Sequence, residues 1–279
     1  MKSFISILFV IVLAGCKRDK AEPNDVRVIL NEDSLEILTD SFPALETPLD
    51  FKKEQSFLLK REELLKKEDD AVKMQGLISS RALYREDKNI ILDFKYPYLN
   101  ESLKPAYENF NNYIKSELLN VKERDSLPSK LPEKRTMNYK IYNVNDEVVS
   151  MLFYQENFYK GILHPTYSFR SLNFNLTTGG FLDYEDVFIT GSEEELREII
   201  NKYFTEKIAS GDIYYDCWQI SRNDFYNFKN NFVLDNTSIE FYFDDYIICP
   251  SYTGTYSIKI PFEMLRPVLK KYYMDQILR

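Results

Sequence analysis

The sequence predicts an α+β fold: an antiparallel β-sheet with amphipathic helices packed on one face, preceded by a smaller α/β subdomain. Three observations carry that expectation. Segments with period-two alternation dominate the second half of the chain, and a few others place their apolar residues at helical spacing. Tyr and Phe are abundant, at 21 and 20 of 279 residues, while Gly is scarce at 8. Tyrosine brings an apolar ring with a polar tip, which suits half-buried strand faces and also surfaces that stack on sugars.

Taken in order, the chain opens with Met1-Lys2, an apolar run over residues 4–12, and then Leu13-Ala14-Gly15-Cys16. A short charged start, an apolar run too short to span a bilayer comfortably and small residues before a cysteine form a bacterial lipoprotein signal. Residues 1–15 are expected to be cleaved off, leaving Cys16 as the acylated N-terminus. Its acyl chains, each adding roughly 0.8 kcal/mol per buried methylene, would hold the rest at a membrane surface. Residues 16–25 are charged and include Pro23, which suits a lipidated tether. Residues 26–85 form a charged N-terminal region without a dominant period. Within it, Leu58, Leu65 and Val72 recur at sevenfold spacing among Lys and Glu, as in a surface helix with a narrow apolar stripe or a charged edge strand.

Residues 86–136 read as the small α/β subdomain. Ile90, Leu92, Phe94 and Tyr96 alternate on one face of a strand that Pro97 is expected to end. Leu103, Tyr107, Phe110, Ile114 and Leu118 then share one helical face over residues 102–119, with Ser102 as N-cap and Pro105 in the first turn. A polar connection follows, with Pro128 and Pro132.

Residues 137–279 form the main α+β domain. Strands are predicted over 139–144, 147–154, 167–176, 232–234, 238–244 and 255–260, with hairpin turns at Asn145-Asp146 and Asp235-Asn236. The apolar face switches from Tyr167 and Phe169 to Leu172, Phe174 and Leu176, which predicts a bulge near Arg170 or Ser171. Ser192-Glu193-Glu194-Glu195 reads as a capping box for a helix that buries Leu196, Ile199, Ile200, Tyr203 and Phe204 and ends near Gly211. A last helix is predicted over residues 263–278.

The formal charge is −8, and the pI is near 5.0. An acidic chain is a poor partner for nucleic acid, whose phosphates are held by clustered Lys and Arg. Basic partners, or uncharged ones that stack, fit better. With Cys16 assigned to lipid, Cys217 and Cys249 remain. In an oxidising compartment they could form one disulfide worth roughly 3–4 kcal/mol, or stay as two buried thiols; their separation is not in the sequence.

The single histidine, His164, stands in Lys160-Gly161-Ile162-Leu163-His164-Pro165-Thr166. No Cys or second His accompanies it at metal-ligand spacing, and no nucleophile elbow is present, so a structural or ligand-contact role is preferred to catalysis. Asp183, Glu185, Asp186, Asp244 and Asp245 are candidate carboxylates for glycoside hydrolysis, which needs two facing acids across a cleft. As loop acids, Asp183 and Asp186 are expected instead to order the turn before Val187-Phe188. Phosphate-binding and dinucleotide motifs are absent, and no cofactor or metal is expected.

Gly161-Ile162-Leu163-His164, then Leu172-Asn173-Phe174-Asn175-Leu176-Thr177-Thr178-Gly179-Gly180-Phe181-Leu182 and Glu185-Asp186-Val187-Phe188, resemble a family of extracytoplasmic domains. These form the outer part of the lysozyme-sensing anti-sigma factor RsiV and accompany some bacterial polysaccharide deacetylases. Asp245-Tyr246-Ile247-Ile248-Cys249-Pro250 and Ile258-Lys259-Ile260-Pro261-Phe262 are similar to the family's closing strands. Tyr96-Pro97-Tyr98-Leu99 and Phe110-Asn111-Asn112-Tyr113-Ile114 look like the smaller domain that precedes it. The resemblance covers roughly residues 88–270. It implies an α+β domain without catalytic residues that binds a lysozyme-type hydrolase. Pro165 stands where the family has Gly after the His, and a lipid anchor replaces the signalling helix.

These readings combine in one expectation: a non-enzymatic lipoprotein of the bacterial cell envelope, held at the membrane through Cys16. Its ligand is a lysozyme-type protein or peptidoglycan glycan, and nucleic acid is excluded. Tyr159, Gly161, His164 and Tyr167 are the candidate ligand contacts. Lys17 after the lipidated cysteine is compatible with outer-membrane sorting. The alternatives are a cell-wall carbohydrate hydrolase using loop carboxylates, and a structural or assembly lipoprotein docking through residues 54–74.

Overall fold

Period-two alternation does produce strands, and their pairing builds two stacked sheets. The computed structural model describes residues 76–87, 90–119, 133–161 and 165–271. The expected lipoprotein signal with Cys16, the expected tether, residues 54–74, most of the connection before residue 133, His164 and the end of the last predicted helix lie outside the described residues.

The first sheet runs β1 (Ile78–Asp87), β2 (Ile90–Leu99), β3 (Glu133–Val144), β4 (Val148–Tyr159), β5 (Thr166–Asn175) and β6 (Phe181–Leu182), in that spatial order. Its neighbours pair antiparallel except β2 and β3, which run parallel from Ile90↔Glu133 to Phe94↔Met137. The sheet therefore continues across the expected boundary at residues 136–137, and β1 draws residues 78–85 into it. A parallel step needs a crossover, and α1 (Tyr107–Tyr113), continued by a π-helical turn at Ile114–Leu118, lies in that connection. Pro97 does not end β2. The β2–β3 ladder stops at Phe94, so beyond it β2 is open on that side, where a missing N–H breaks no ladder bond.

The first helix begins later than its apolar spacing suggests. Ala106, not Ser102, is its N-cap, and residues 100–106 form turns in which the Ser102 N–H donates to Asn100. Tyr107, Phe110, Ile114 and Leu118 still face inward, onto Leu92, Phe94, Met137, Tyr139, Val149, Met151, Phe153, Leu172 and Phe174. Each buried Phe contributes roughly 1.5–3 kcal/mol, so this cluster fixes the helix on the sheet. Asn111 locks its height: Nδ2 donates to the Leu99 carbonyl at 2.8 Å and Oδ1 accepts from the Leu99 N–H at 3.0 Å.

The second sheet is β7 (Phe232–Leu234), β8 (Ser238–Tyr242) and β9 (Ser257–Pro261), all antiparallel. One face packs on the first sheet, where Leu152, Tyr167, Phe169, Val233, Tyr242 and Tyr256 form a shared core. The other face, with Phe232, Ile239, Phe241, Ile258 and Ile260, receives α2 (Tyr184–Val187), α3 (Glu193–Ala209), α4 (Arg222–Phe228) and α5 (Phe262–Leu265). The α+β class stands, and the layering is helix, sheet, sheet, helices.

This layering corrects the predicted bulge. β4 and β5 keep one register from Val148↔Asn175 to Asn157↔Thr166. Tyr167 and Phe169 face the second sheet while Leu172 and Phe174 face α1, so the apolar side switches because β5 is buried on both faces at different heights. The irregularity falls in β3 instead, between Ile141 and Asn143.

α3 ends as its sequence suggests. Gly211 takes φ 80°, and the Asp212 N–H bonds back to the Lys207 carbonyl at 2.9 Å. Its expected capping box does not form: the Ser192 hydroxyl turns to the Ile189 carbonyl at 2.6 Å and to the Tyr184 hydroxyl at 2.8 Å. The predicted final helix is interrupted after α5, since Pro267 cannot donate to an extended helical ladder, and the chain turns at 266–268 and bridges Leu269 to Phe188. Among the described residues, no helix is long and apolar enough to cross a membrane.

Candidate ligand-binding surface

Of the residues expected to contact a ligand, His164 lies outside the described residues, and Tyr159 and Tyr167 do not share a face. Alternation along β4 and β5 places Tyr159 on the α1 face of the first sheet and Tyr167 on the opposite face. Tyr167 is buried, its ring 5.6 Å from that of Tyr256, and is a core residue rather than a ligand contact. Gly161 is exposed in the hairpin that follows β4.

The candidate carboxylates are absorbed by local structure. Asp183 accepts from the Glu185 N–H at 3.0 Å, and its own N–H donates to Asp186 at 3.0 Å, so the two acids cap α2 as expected. Glu185 pairs with Lys229 at 2.6 Å. The Asp244 carboxylate accepts from the Phe169 N–H at 2.8 Å and so covers the open edge of β5, while Asp245 accepts from the Ser251 hydroxyl at 2.9 Å. Burial raises the Asp244 carboxyl above its ordinary value, against the opposing pull of the Phe169 bond and the Arg170 charge.

A different surface carries several of the exposed aromatic side chains. Past Gly211 the chain carries Tyr214, Tyr215, Cys217 and Trp218 towards α4; after β8 a second loop carries Tyr246, Cys249 and Tyr252. Cys217 and Cys249 are joined by a disulfide, which settles the choice that the sequence left open and ties the two loops together. Trp218 reinforces the join, its backbone N–H donating to the Ile248 carbonyl at 3.0 Å and its indole N–H to the Ile247 carbonyl at 2.8 Å.

On this brace Tyr214 and Tyr215 stack with ring centroids 4.7 Å apart, and Tyr214 meets Tyr252 edge-on at 5.5 Å. Tyr215 is 64 % exposed, Tyr246 54 %, Tyr252 53 % and Trp218 42 %. The Tyr252 hydroxyl donates to the Asp216 carboxylate, and that bond, with lesser help from burial, holds its phenol above the usual range. Tyr246 takes φ 64°, the only left-handed non-glycine among the described residues. For a bulky residue that backbone costs about 1–3 kcal/mol, and here it accompanies an outward-facing ring. Rings held with a polar rim at a surface can stack on flat apolar faces and hydrogen-bond around them. The sequence did offer a signal for this surface: the only Trp of the chain stands in Tyr214-Tyr215-Asp216-Cys217-Trp218.

Residues 185–263 match the family model described as "Protein of unknown function (DUF3298)". The peptidoglycan-N-acetylmuramic acid deacetylase PdaC of Bacillus subtilis (strain 168) is 24% identical over 207 residues, covering 72% of this chain and 44% of that protein. The chain thus spans less than half the length of this curated relative. Among solved structures, a DUF3298 family protein from Pseudomonas aeruginosa PAO1 is similar with a TM-score of 0.51 and 16% identity, over 70% of this chain and 95% of that one. A DUF3298 family member from Bacteroides fragilis NCTC 9343 gives a TM-score of 0.47 and 17% identity, over 72% and 96%. The sequence match and the fold both fit a DUF3298 domain, and the matched segment contains the disulfide and every exposed ring of the aromatic surface.

Proposed function

We propose that this chain is a non-enzymatic cell-envelope protein, anchored by lipid on Cys16, that holds cell-wall glycan against the aromatic surface around Tyr215, Trp218, Tyr246 and Tyr252. The observation that carries this reading is the braced, exposed ring cluster itself, since isolated exposed aromatics need no explanation but a stacked group on two disulfide-joined loops does. Sugar rings present apolar faces edged with hydroxyls, the complement of such a surface. The likeness to PdaC, whose name places its own activity on peptidoglycan, supports the choice of ligand. The turn bonds that engage Asp183, Asp186, Asp244 and Asp245 favour binding over hydrolysis.

A second reading is an RsiV-like capture of a lysozyme-type hydrolase. Such enzymes are basic, and a formal charge of −8 would draw them in. Co-sedimentation with purified peptidoglycan and pull-down with lysozyme, both at low salt, test the two. Glycan binding that weakens when Tyr215 and Trp218 are replaced by Ala supports the first. Retention of lysozyme without glycan supports the second. Failure with both ligands removes the proposal.

A further inference from the structure

Glu240 and Lys259 are direct cross-strand partners on β8 and β9, on the same face of the second sheet. Opposite charges in that position ordinarily pair. These do not pair with each other: Glu240 accepts from the Ser257 hydroxyl at 2.6 Å, and Lys259 turns away to Asp235. An open cavity of about 400 Å³ is lined by both side chains and, from β3, by Lys140 and Tyr142. The Lys140 ammonium stands 4.9 Å above the Tyr142 ring, and the Tyr142 hydroxyl meets that of Tyr242.

Glu240 is only 8% exposed although it lines this cavity. Its carboxylate meets the neutral hydroxyls of Ser257 and Tyr242 and forms no ion pair among the described residues, which leaves it open to a ligand's cation. An adjoining cavity along the β9 edge shares Ser257 and Lys259 with the first, and there the Ser238 hydroxyl, 3% exposed, makes no hydrogen bond. The groove therefore brings together a buried anion, two ammonium groups, of which Lys259 already meets Asp235, and a spare hydroxyl, with Asp212 and Ile213 also lining both cavities.

We propose that this groove binds the zwitterionic head group of an amino acid, its ammonium on Glu240 and its carboxylate between Lys140 and Lys259. The same head group occurs on free amino acids and on the diamino-acid side chain of cell-wall peptides, so the source is read by experiment. The inference is independent of the aromatic surface, because none of its groups belongs to that ring cluster.

The test is calorimetric titration of the full chain with L-alanine, meso-diaminopimelate and a diaminopimelate-bearing muropeptide, beside N-acetyl-L-alanine and L-alaninamide as blocked probes. Saturable binding of free amino acids, lost on blocking either end, supports the proposal. Binding confined to the diaminopimelate probes supports it with the cell wall as source. Glu240→Gln keeps the acceptor for Ser257 and should weaken binding about tenfold or more, and Lys140→Met, on the opposite strand, should weaken it without disturbing β8 or β9. Circular dichroism would verify that both variants fold. Absence of saturable binding by every unblocked probe overturns the proposal, as does binding that survives both blocked probes or the Glu240 substitution. Tyr215→Ala and Trp218→Ala should leave this titration unchanged, which separates its outcome from that of the glycan reading.

Discussion

Asn231 stands in for a missing strand beside Ser171. Its Oδ1 accepts from the Ser171 N–H at 2.6 Å and from the Ser171 hydroxyl at 3.0 Å, while its Nδ2 donates to the carbonyls of Phe169 and Tyr242, both at 2.9 Å. β6 reaches only Asn173 and Phe174, so this amide joins the open edge of β5 to the second sheet. Replacing Asn231 by Ala leaves several partly buried groups without partners. A stability loss of about 3 kcal/mol is expected, read as a lower urea midpoint with an unchanged slope.

Gly179 has no room for a side chain. A Cβ there would lie 2.5 Å from the Ala106 Cβ, and its φ of 73° disfavours any L-residue. Its carbonyl also accepts from Asn109 at 3.0 Å, so the turn is pinned to the start of α1. Gly179→Val should destabilise by about 2–3 kcal/mol, visible as a lower thermal midpoint.

The Cys217–Cys249 bridge closes a loop with a sequence separation of 32. Loops of that order gain about 3–4 kcal/mol from cross-linking. The double replacement Cys217→Ser, Cys249→Ser should lower stability by that amount and also weaken glycan retention, since both aromatic loops lose their tie. Comparing melts with sedimentation of the folded fraction separates the two effects.

The pH response of Asp244 has a defined sign. Its raised carboxyl holds a proton more tightly in the folded than in the unfolded chain, so stability falls as pH rises from the ordinary carboxylate value through the raised one. Asp244→Asn retains an acceptor for the Phe169 N–H and removes that loss. The variant's stability should be flatter across this window and no lower than the parent's at neutral pH, as measured by urea melts from acid to neutral conditions.

Tyr215 contributes little to the core, so Tyr215→Ala should change stability by less than about 0.5 kcal/mol. Loss of a stacked ring worth about 1 kcal/mol should weaken glycan binding roughly fivefold. Trp218→Ala should cost more on both counts because the indole bond to Ile247 is lost with the ring.

The strands were legible wherever one face alone is buried, as in β2, and the turns at Asn145 and Asp235 were legible from their residue types. β5 was misread because burial on both faces mimics a bulge in one dimension. The pairing of β2 with β3 and the stacking of two sheets left no local trace, since each depends on partners far along the chain. The same holds for the exposed rings. Tyr159 and Tyr167 are near in sequence but on opposite faces, whereas Tyr215 and Tyr252 lie far apart in sequence on loops that the bridge joins. Sequence proximity predicts neither arrangement.

The bridge also has a bearing on when the surface exists. Thiols stay reduced in a bacterial cytoplasm and pair outside it. On the proposed reading, a copy still awaiting export would carry the same sheets and helices, yet its two ring-bearing loops would be joined only by the Trp218 hydrogen bonds and the Tyr214–Tyr252 contact. Export, on that reading, would do more than deliver the protein: the oxidising compartment itself would add the covalent tie beneath the aromatic surface.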